Sequence, residues 1–432
     1  MTRDVSVHVH HVTRVEGHGN IVVDVKRGKI EQCQWQVPEA PRFFEAMVRG
    51  RTYDELHNIT SRICGICSIG HTFASLQATE AAMGIEISEQ TLKMRKLLLH
   101  GENLQSHILH ACYLALPDYV RVGSVIPLVN SHKNEVLLVV KLHRLANELC
   151  DIVGGRTTHP ITPRVGGFTA WPKEKDLRAL KTRLEASVSD LAALADFVAT
   201  TLGGVPKFDR ETEYIGLVRD DEYALYNGDI GSTDGGRWPV SQYKGIVNEY
   251  VVPQSTAKYA KHKRSSYQVG ALARYKLNHA KLTDTAKAVA KKLGLTPACV
   301  NPYFITVAQV VECVHSVQDA ARLIDELLTA GVRDEAPNVT VRAGQGVGSV
   351  DVPRGILFHD YTYDKLGVCQ EANCVIPTNQ NHASIQDDMN AILPTILDKG
   401  EKEIELTLEM LVRAHDPCIS CSTHYLDVTF KK

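Results

Sequence analysis

Two short cysteine motifs stand far apart in the chain. The first is Arg62-Ile63-Cys64-Gly65-Ile66-Cys67-Ser68-Ile69-Gly70-His71 and the second is Asp416-Pro417-Cys418-Ile419-Ser420-Cys421-Ser422-Thr423-His424. A Cys-x-x-Cys hook sets two thiolates on one side of a turn, so two hooks can offer a tetrahedral set of four sulfurs. Three chemistries fit such a set: structural zinc, a redox-active metal, and thiol–disulfide exchange. Zinc hooks are usually separated by about 15 to 20 residues within a small module, whereas most of the chain lies between Cys67 and Cys418. Each hook also has titratable company, Arg62 and His71 at the first and Asp416 and His424 at the second, which a closed structural zinc site does not need. Soft thiolates equally suit nickel and iron. Thiol exchange needs only one pair, and no βαβ pattern surrounds either hook. From spacing alone all three readings stay open.

The elements that must position these hooks are mainly helical. The first forty residues alternate apolar and polar positions around Gly28, as in Ile21–Val25 and Ile30–Trp35, and predict a small hairpin or sheet. Apolar spacing of three and four then predicts helices over Ser88 to about Leu116, about Asn134 to Val153 (stopped at Gly154-Gly155), Lys175–Leu202, Ala271–Leu293, Val317–Ala330 and Glu401–Ala414. Helices of this length predict a mostly α protein with small β elements (α+β), a large central helical bundle with peripheral short sheets. Gly228–Trp238 is the most loop-like stretch and reads as an insertion. No linker divides the chain, so residues 1–432 are expected to form a single domain.

Composition narrows the class. The 432 residues carry 44% hydrophobic and 23% charged residues and a net charge of −2, ordinary values for a globular protein. The absence of a basic excess argues against nucleic acid. No window approaches the length of a transmembrane helix and no secretory pattern opens the chain, so a cytoplasmic location is expected, although a partner's signal can export a subunit. The cysteine total of 11 is odd, which argues against a disulfide framework. Cys33, Cys112, Cys150, Cys299, Cys313, Cys369 and Cys374 stand alone and read as buried, inert thiols.

Taken together, the two hooks resemble the signature pair of nickel–iron hydrogenase large subunits. Further segments are similar in the family's order: Arg14-Val15-Glu16-Gly17-His18-Gly19, Pro41-Arg42-Phe43-Phe44-Glu45, Gly154-Gly155-Arg156 with His159-Pro160 and Gly166-Gly167, Pro353-Arg354-Gly355, and Val375-Ile376-Pro377-Thr378. The resemblance spans the chain. Pro41–Glu45 and the Asp-Pro-Cys-Ile-Ser-Cys-Ser hook look most like the cytoplasmic subgroup linked to NAD(P) or ferredoxin. The rival readings are a quinone-site subunit of the complex I kind, which shares the fold but lacks the cysteine pairs, and a structural zinc protein.

The resemblance implies a hydrogenase large-subunit fold and a set of roles. Cys64, Cys67, Cys418 and Cys421 would ligate nickel, with Cys67 and Cys421 bridging to an iron that bears carbon monoxide and cyanide. Arg354 would lie over the cluster and bond one cyanide, and Thr378 the other. Asp118, Pro353 and Asp416 would surround Arg354, and His71 would bond a bridging sulfur. Glu45, the Cys374 carbonyl and His424 would hold magnesium, or iron as in some relatives. Heterolytic cleavage of hydrogen needs a Lewis-acidic metal and a base; Cys418 would take the proton and pass it to Glu16, a relay that burial would tune. After the hooks are used, no cysteine spacing remains for an iron–sulfur cluster. A small subunit carrying such clusters is therefore expected, with further NAD(P)- or ferredoxin-linked subunits. Nickel-insertion factors and a maturation protease are also implied, the latter cutting after His424 to release 425–432.

Overall fold

The computed structural model describes residues 4–423. Strands β1 (Val5–Val9), β2 (Asn20–Lys26) and β3 (Lys29–Gln36) form an antiparallel three-stranded sheet, with the alternate burial that the sequence pattern predicts. Helix α1 (Ser68–Met83) follows the first hook, and α2 (Glu89–Ile108) begins with the Ser88 hydroxyl accepting the Thr91 N–H. The chain then widens into a π-helical stretch, Leu109–Ala115, and a last turn, Leu116–Tyr119. Helices α3 (Lys133–Gly154) and α4 (Glu174–Thr201) come next, then the short α5 (Ala271–Asn278) and the long α6 (Ile305–Ala330). Strands β4 (Gly344–Val352), β5 (Gly355–Tyr363) and β6 (Cys369–Val375) make a second antiparallel sheet. Helices α7 (Pro377–Ile396) and α8 (Glu401–Ala414) lead into the second hook.

Helices α2, α3, α4 and α6 pack against one another as the bundle. Their leucine- and valine-rich faces form the largest core cluster, which also takes in all four hook cysteines. The expected fold class is the observed one, with one addition. The β4–β6 sheet lies inside the molecule, and β5 is buried along nearly its whole length.

This inner sheet sets the position of the first hook through a stripe of small residues. Gly344, Gly346 and Gly348 fall on one face of β4, and Ala82, Ala78 and Ala74 on the facing side of α1. A Cβ at Gly346 or Gly348 would lie 2.2 Å from the Ala78 carbonyl oxygen or 2.1 Å from that of Ala74. Only glycine admits backbone contact this close. The stripe continues to Gly70 against Val352, so the hook end of α1 meets the β4–β5 turn, which carries Pro353 and Arg354.

Several expectations need correction. The helix expected over Ala271–Leu293 is broken: α5 ends at Asn278, and a separate helix, Asp284–Lys292, starts after Leu282 and Thr283. The helix expected from Val317 begins at Ile305; its first half is buried on every side, polar residues included, so it lacks the exposed face that marks an amphipathic helix. Gly228–Trp238 is not a plain loop; it holds the short strands Asp229–Ser232 and Arg237–Trp238. Of the isolated cysteines, Cys33 and Cys299 are half-buried rather than buried. Among the described residues no helix is long and apolar enough to cross a membrane.

Gly348→Leu is expected to destabilise the protein by about 3 kcal/mol or more, since the neighbour to be displaced is backbone. Chemical denaturation would show it, and bound nickel should fall with it because the first hook loses its seat.

Candidate metal centre

The two hooks meet in the interior. Cys64 Sγ lies 3.4 Å from Cys418 Sγ across a sequence separation of 354 residues. One ligand atom each from Cys64, Cys418 and Cys421 falls within 4.8 Å of the others. Cys67 adjoins this group: its backbone N–H donates to Cys64 Sγ at 3.0 Å. All four cysteines are buried. Within the second hook the sulfurs of Cys418 and Cys421 lie side by side, as two ligands of one metal must.

The two thiols of the first hook are shifted in opposite directions. The hydrogen bond from Cys67 holds the Cys64 thiol below its usual range, with Arg354 acting in the same direction against burial. The same contact and burial push Cys67 up. Glu102 accepts the N–H groups of Ile69 and Gly70 in the first turn of α1, and burial pushes its carboxyl up to about 8. It caps from a distance the helix that presents the first hook.

Arg354 is the central cation. Its Nη1 donates to Cys67 Sγ at 3.2 Å, its Nη2 to Asp416 Oδ1 at 2.7 Å, and its Nε to the Asp416 carbonyl at 2.7 Å. Asp416 thus holds Arg354 through both its side chain and its backbone. Asp416 sits at a φ of 50°, a left-handed conformation that aspartate tolerates better than most residues. Asp118 departs from expectation. It accepts two bonds from Arg413 and one from Arg14 Nη2, and it serves as the anchor between the N-terminal motif and the end of α8. The reason is charge: a carboxylate held by two guanidinium groups is already fully compensated and does not draw in a third.

Thr378, in the first turn of α7, accepts the Cys418 N–H with its hydroxyl oxygen at 3.0 Å. Glu16 is brought in by strand-like pairing of its segment with the second hook, in which the Ile419 N–H donates to the Glu16 carbonyl at 2.9 Å. Gly17 makes this approach feasible, since a Cβ there would lie 2.7 Å from the Ser420 nitrogen. The Glu16 carboxylate lies 3.3 Å from Cys418 Sγ and accepts from both the backbone and the hydroxyl of Ser420. It is half-buried, not sealed from water as the expectation of tuning by burial required, because it lies where two chain segments meet near the surface. His71 turns its Nδ1 to His359 Nε2 at 3.1 Å, at the head of a buried chain through Tyr361 to Ser75. Glu45 and Cys374 are adjacent, but the contact is between the Glu45 carboxylate and the Cys374 N–H at 2.7 Å, not the carbonyl. His424 and the 425–432 tail lie outside the described residues. Arg62 is exposed.

Other residues hold the site without having stood out in the sequence. Arg42 reaches both hooks at once: its Nη2 donates to the Ile63 carbonyl at 2.6 Å and the Ser420 carbonyl at 2.5 Å. Its place in the Pro41–Glu45 motif was the available signal. On α7, Asn379 donates to the Ser422 carbonyl, and His382 lies between the Trp35 indole and the Ser422 hydroxyl. Polar residues inside an interior helix give no periodic pattern that reveals them.

Comparison with known proteins agrees with this geometry. A family model described as nickel-dependent hydrogenase matches residues 42–134 and 240–424, and one described as HoxL-like matches residues 6–40. The alpha subunit of sulfhydrogenase 1 from Pyrococcus furiosus is 30% identical over 96% of this chain and 97% of its own length. A chain of the F420-non-reducing hydrogenase from Methanothermobacter marburgensis is 29% identical over 96% of this chain and 94% of its own. Among solved structures, an NAD+-reducing [NiFe]-hydrogenase in the H2-reduced state superposes with a TM-score of 0.88 at 25% identity, covering 97% of this chain and 99% of that one. The chain belongs to the nickel-dependent hydrogenase family, as a catalytic large subunit. Its activity is the reversible heterolytic cleavage of hydrogen at a cysteine-bound nickel–iron centre, with electrons passed to a small subunit.

Arg42→Met removes the bonds to both hooks while keeping the stem of the side chain. Nickel content after purification should fall several-fold, measured by elemental analysis against the wild-type complex, with the helical circular dichroism unchanged.

Proposed function

We propose that Cys64, Cys67, Cys418 and Cys421 are the nickel ligands, with Cys67 and Cys421 shared with iron, and that Glu16 carries the proton away. The observation that supports this reading is the meeting of two distant hooks under one buried guanidinium, that of Arg354. A nickel–iron centre supplies the Lewis acidity that polarises hydrogen. The protein's own groups do the rest. Cys418 holds the proton at sulfur, 3.3 Å from the Glu16 carboxylate. Ser420 orients that carboxylate with two hydrogen bonds, and its half-buried position opens towards water. Arg354 offsets the thiolate charge, and its guanidinium and the Thr378 hydroxyl would be the groups that bond the cyanides on iron.

The finer assignments follow the same reading. Glu45, the Cys374 carbonyl and His424 would hold magnesium once the Glu45 carboxylate turns from the Cys374 N–H. The chain acts as one domain, and the tail after His424 is removed on maturation by a protease after nickel insertion. The small subunit holds iron–sulfur clusters, and further subunits pass the electrons to NAD(P) or ferredoxin in the cytoplasm. The likeness to an NAD+-reducing enzyme supports this.

The purified complex should contain nickel and iron and show infrared bands of metal-bound carbon monoxide and cyanide; zinc in their place would refute the assignment. Glu16→Gln should lower hydrogen–deuterium exchange and turnover by about 10²-fold or more, the scale of a lost proton-transfer group, with nickel content unchanged. Retained turnover would remove Glu16 from the path. Intact mass of the active chain tests the tail, since a mature form ending at Lys432 would refute its removal.

A further inference from the structure

We propose that His110 is a positioning residue that carries a proton on both ring nitrogens and, through Gln309, holds Asp416 and hence Arg354 against the thiolates. The purpose assigned to this device rests on the metal-centre reading, while its geometry stands apart from it. His110 lies on the π-helical stretch that continues α2 and is 1% exposed. Such widenings of a helix recur at functional sites.

Each ring nitrogen faces an acceptor. Nε2 lies 2.7 Å from the backbone carbonyl oxygen of Arg413. A carbonyl has no proton to give, so Nε2 must donate. Nδ1 lies 2.5 Å from Gln309 Oε1. The orientation of that amide is fixed by its other end, where Gln309 Nε2 donates to Asp416 Oδ2 at 3.0 Å. Turning the amide over would press its oxygen against a carboxylate. The other oxygen of this carboxyl group, Asp416 Oδ1, accepts from the Arg354 guanidinium at 2.7 Å. Gln309 therefore presents oxygen to His110, and Nδ1 must donate as well. A neutral imidazole has one N–H, and only the imidazolium donates from both nitrogens.

The surroundings can bear this charge. Asp416 Oδ2 lies 3.9 Å from Nδ1 and supplies the counter-charge. The Arg413 guanidinium, next to the carbonyl that His110 uses, is engaged by Asp118 and Glu409, and Asp118 also takes Arg14. His107, one turn earlier, is held below the usual histidine range by burial. Its Nε2 faces Glu312, which Arg274 grips with two bonds. The relay therefore runs His110, Gln309, Asp416, Arg354, Cys67, with a donor facing an acceptor at every step. A neutral ring would set a lone pair against an acceptor at one of its two ends, and the relay would loosen there.

The test uses the intact hydrogenase complex labelled with nitrogen-15 histidine. Magic-angle-spinning spectra of the wild type and of His110→Gln identify the His110 signals by difference. Two protonated ring nitrogens at neutral pH are expected, and one protonated with one bare nitrogen overturns the proposal. Should His110→Gln fail to assemble, neutron diffraction of the wild-type complex counts the deuterons on the ring, with the same two outcomes. The positioning role is read separately from the nickel electron-paramagnetic-resonance signal. With nickel content equal, His110→Gln should shift that signal, and an unshifted signal overturns the role. A wild-type complex lacking nickel would sink the metal-centre reading and leave the ring's proton count as measured.

Discussion

Four sulfur anions cannot sit in a protein interior without compensation. An isolated buried charge is so unfavourable that the group ordinarily gives it up. Here the hooks sit in the largest core cluster, and the guanidinium of Arg354 is set against one of them. Arg354 is itself buried and needs Asp416, which it grips at both side chain and backbone. Charges added in this way must each be answered by another. That accounts for the alternation of Arg354, Asp416, His110 and of Arg14, Asp118, Arg413 around the centre. Truncating one member of such a buried pair leaves its partner stranded, at a cost of about 3–5 kcal/mol.

Two scaffolds carry the two halves of the site, and each uses a different means of precision. The first hook is placed by close backbone packing, α1 approaching β4 at Gly344, Gly346 and Gly348. The second is placed by hydrogen bonds. Thr378, Asn379 and His382 hold it from α7, the Glu16 segment pairs with it, and Arg42 ties it to the first. Van der Waals contact fixes distance and hydrogen bonds fix direction. A rigid seat with an adjustable counterpart suits a centre whose parts come from remote stretches of chain.

Much of this was legible in the sequence, and what was not has physical reasons. The hooks, Arg354, Asp416 and Glu16 stand inside compact motifs, where spacing alone constrains geometry. The bundle helices α3 and α4 declare themselves through one polar and one apolar face. Helix α1 and the first half of α7 do not, because nearly every side chain on them is buried, and a helix wrapped on all sides loses the periodic contrast that identifies it. The bonds of Asp118 to Arg14 and Arg413 could not be read from the sequence, since those residues are remote from it and only folding brings them together. Gln309 and His110 lay hidden for a related reason. Their importance lies in which way an amide and a ring face, and no residue pattern encodes that.

The span of 354 residues between Cys64 and Cys418 bears on how the molecule is assembled. Closing so long a loop is thermodynamically mild, because each doubling of its length adds only about 0.6 kcal/mol. In time it is demanding, because distant contacts form late and slowly. The bundle and the inner sheet can therefore consolidate while the second hook is still outside, leaving a half-built cradle with its first two sulfurs exposed to whatever ion arrives. Order of events, more than final affinity, then decides which metal is sealed in when the last segment docks.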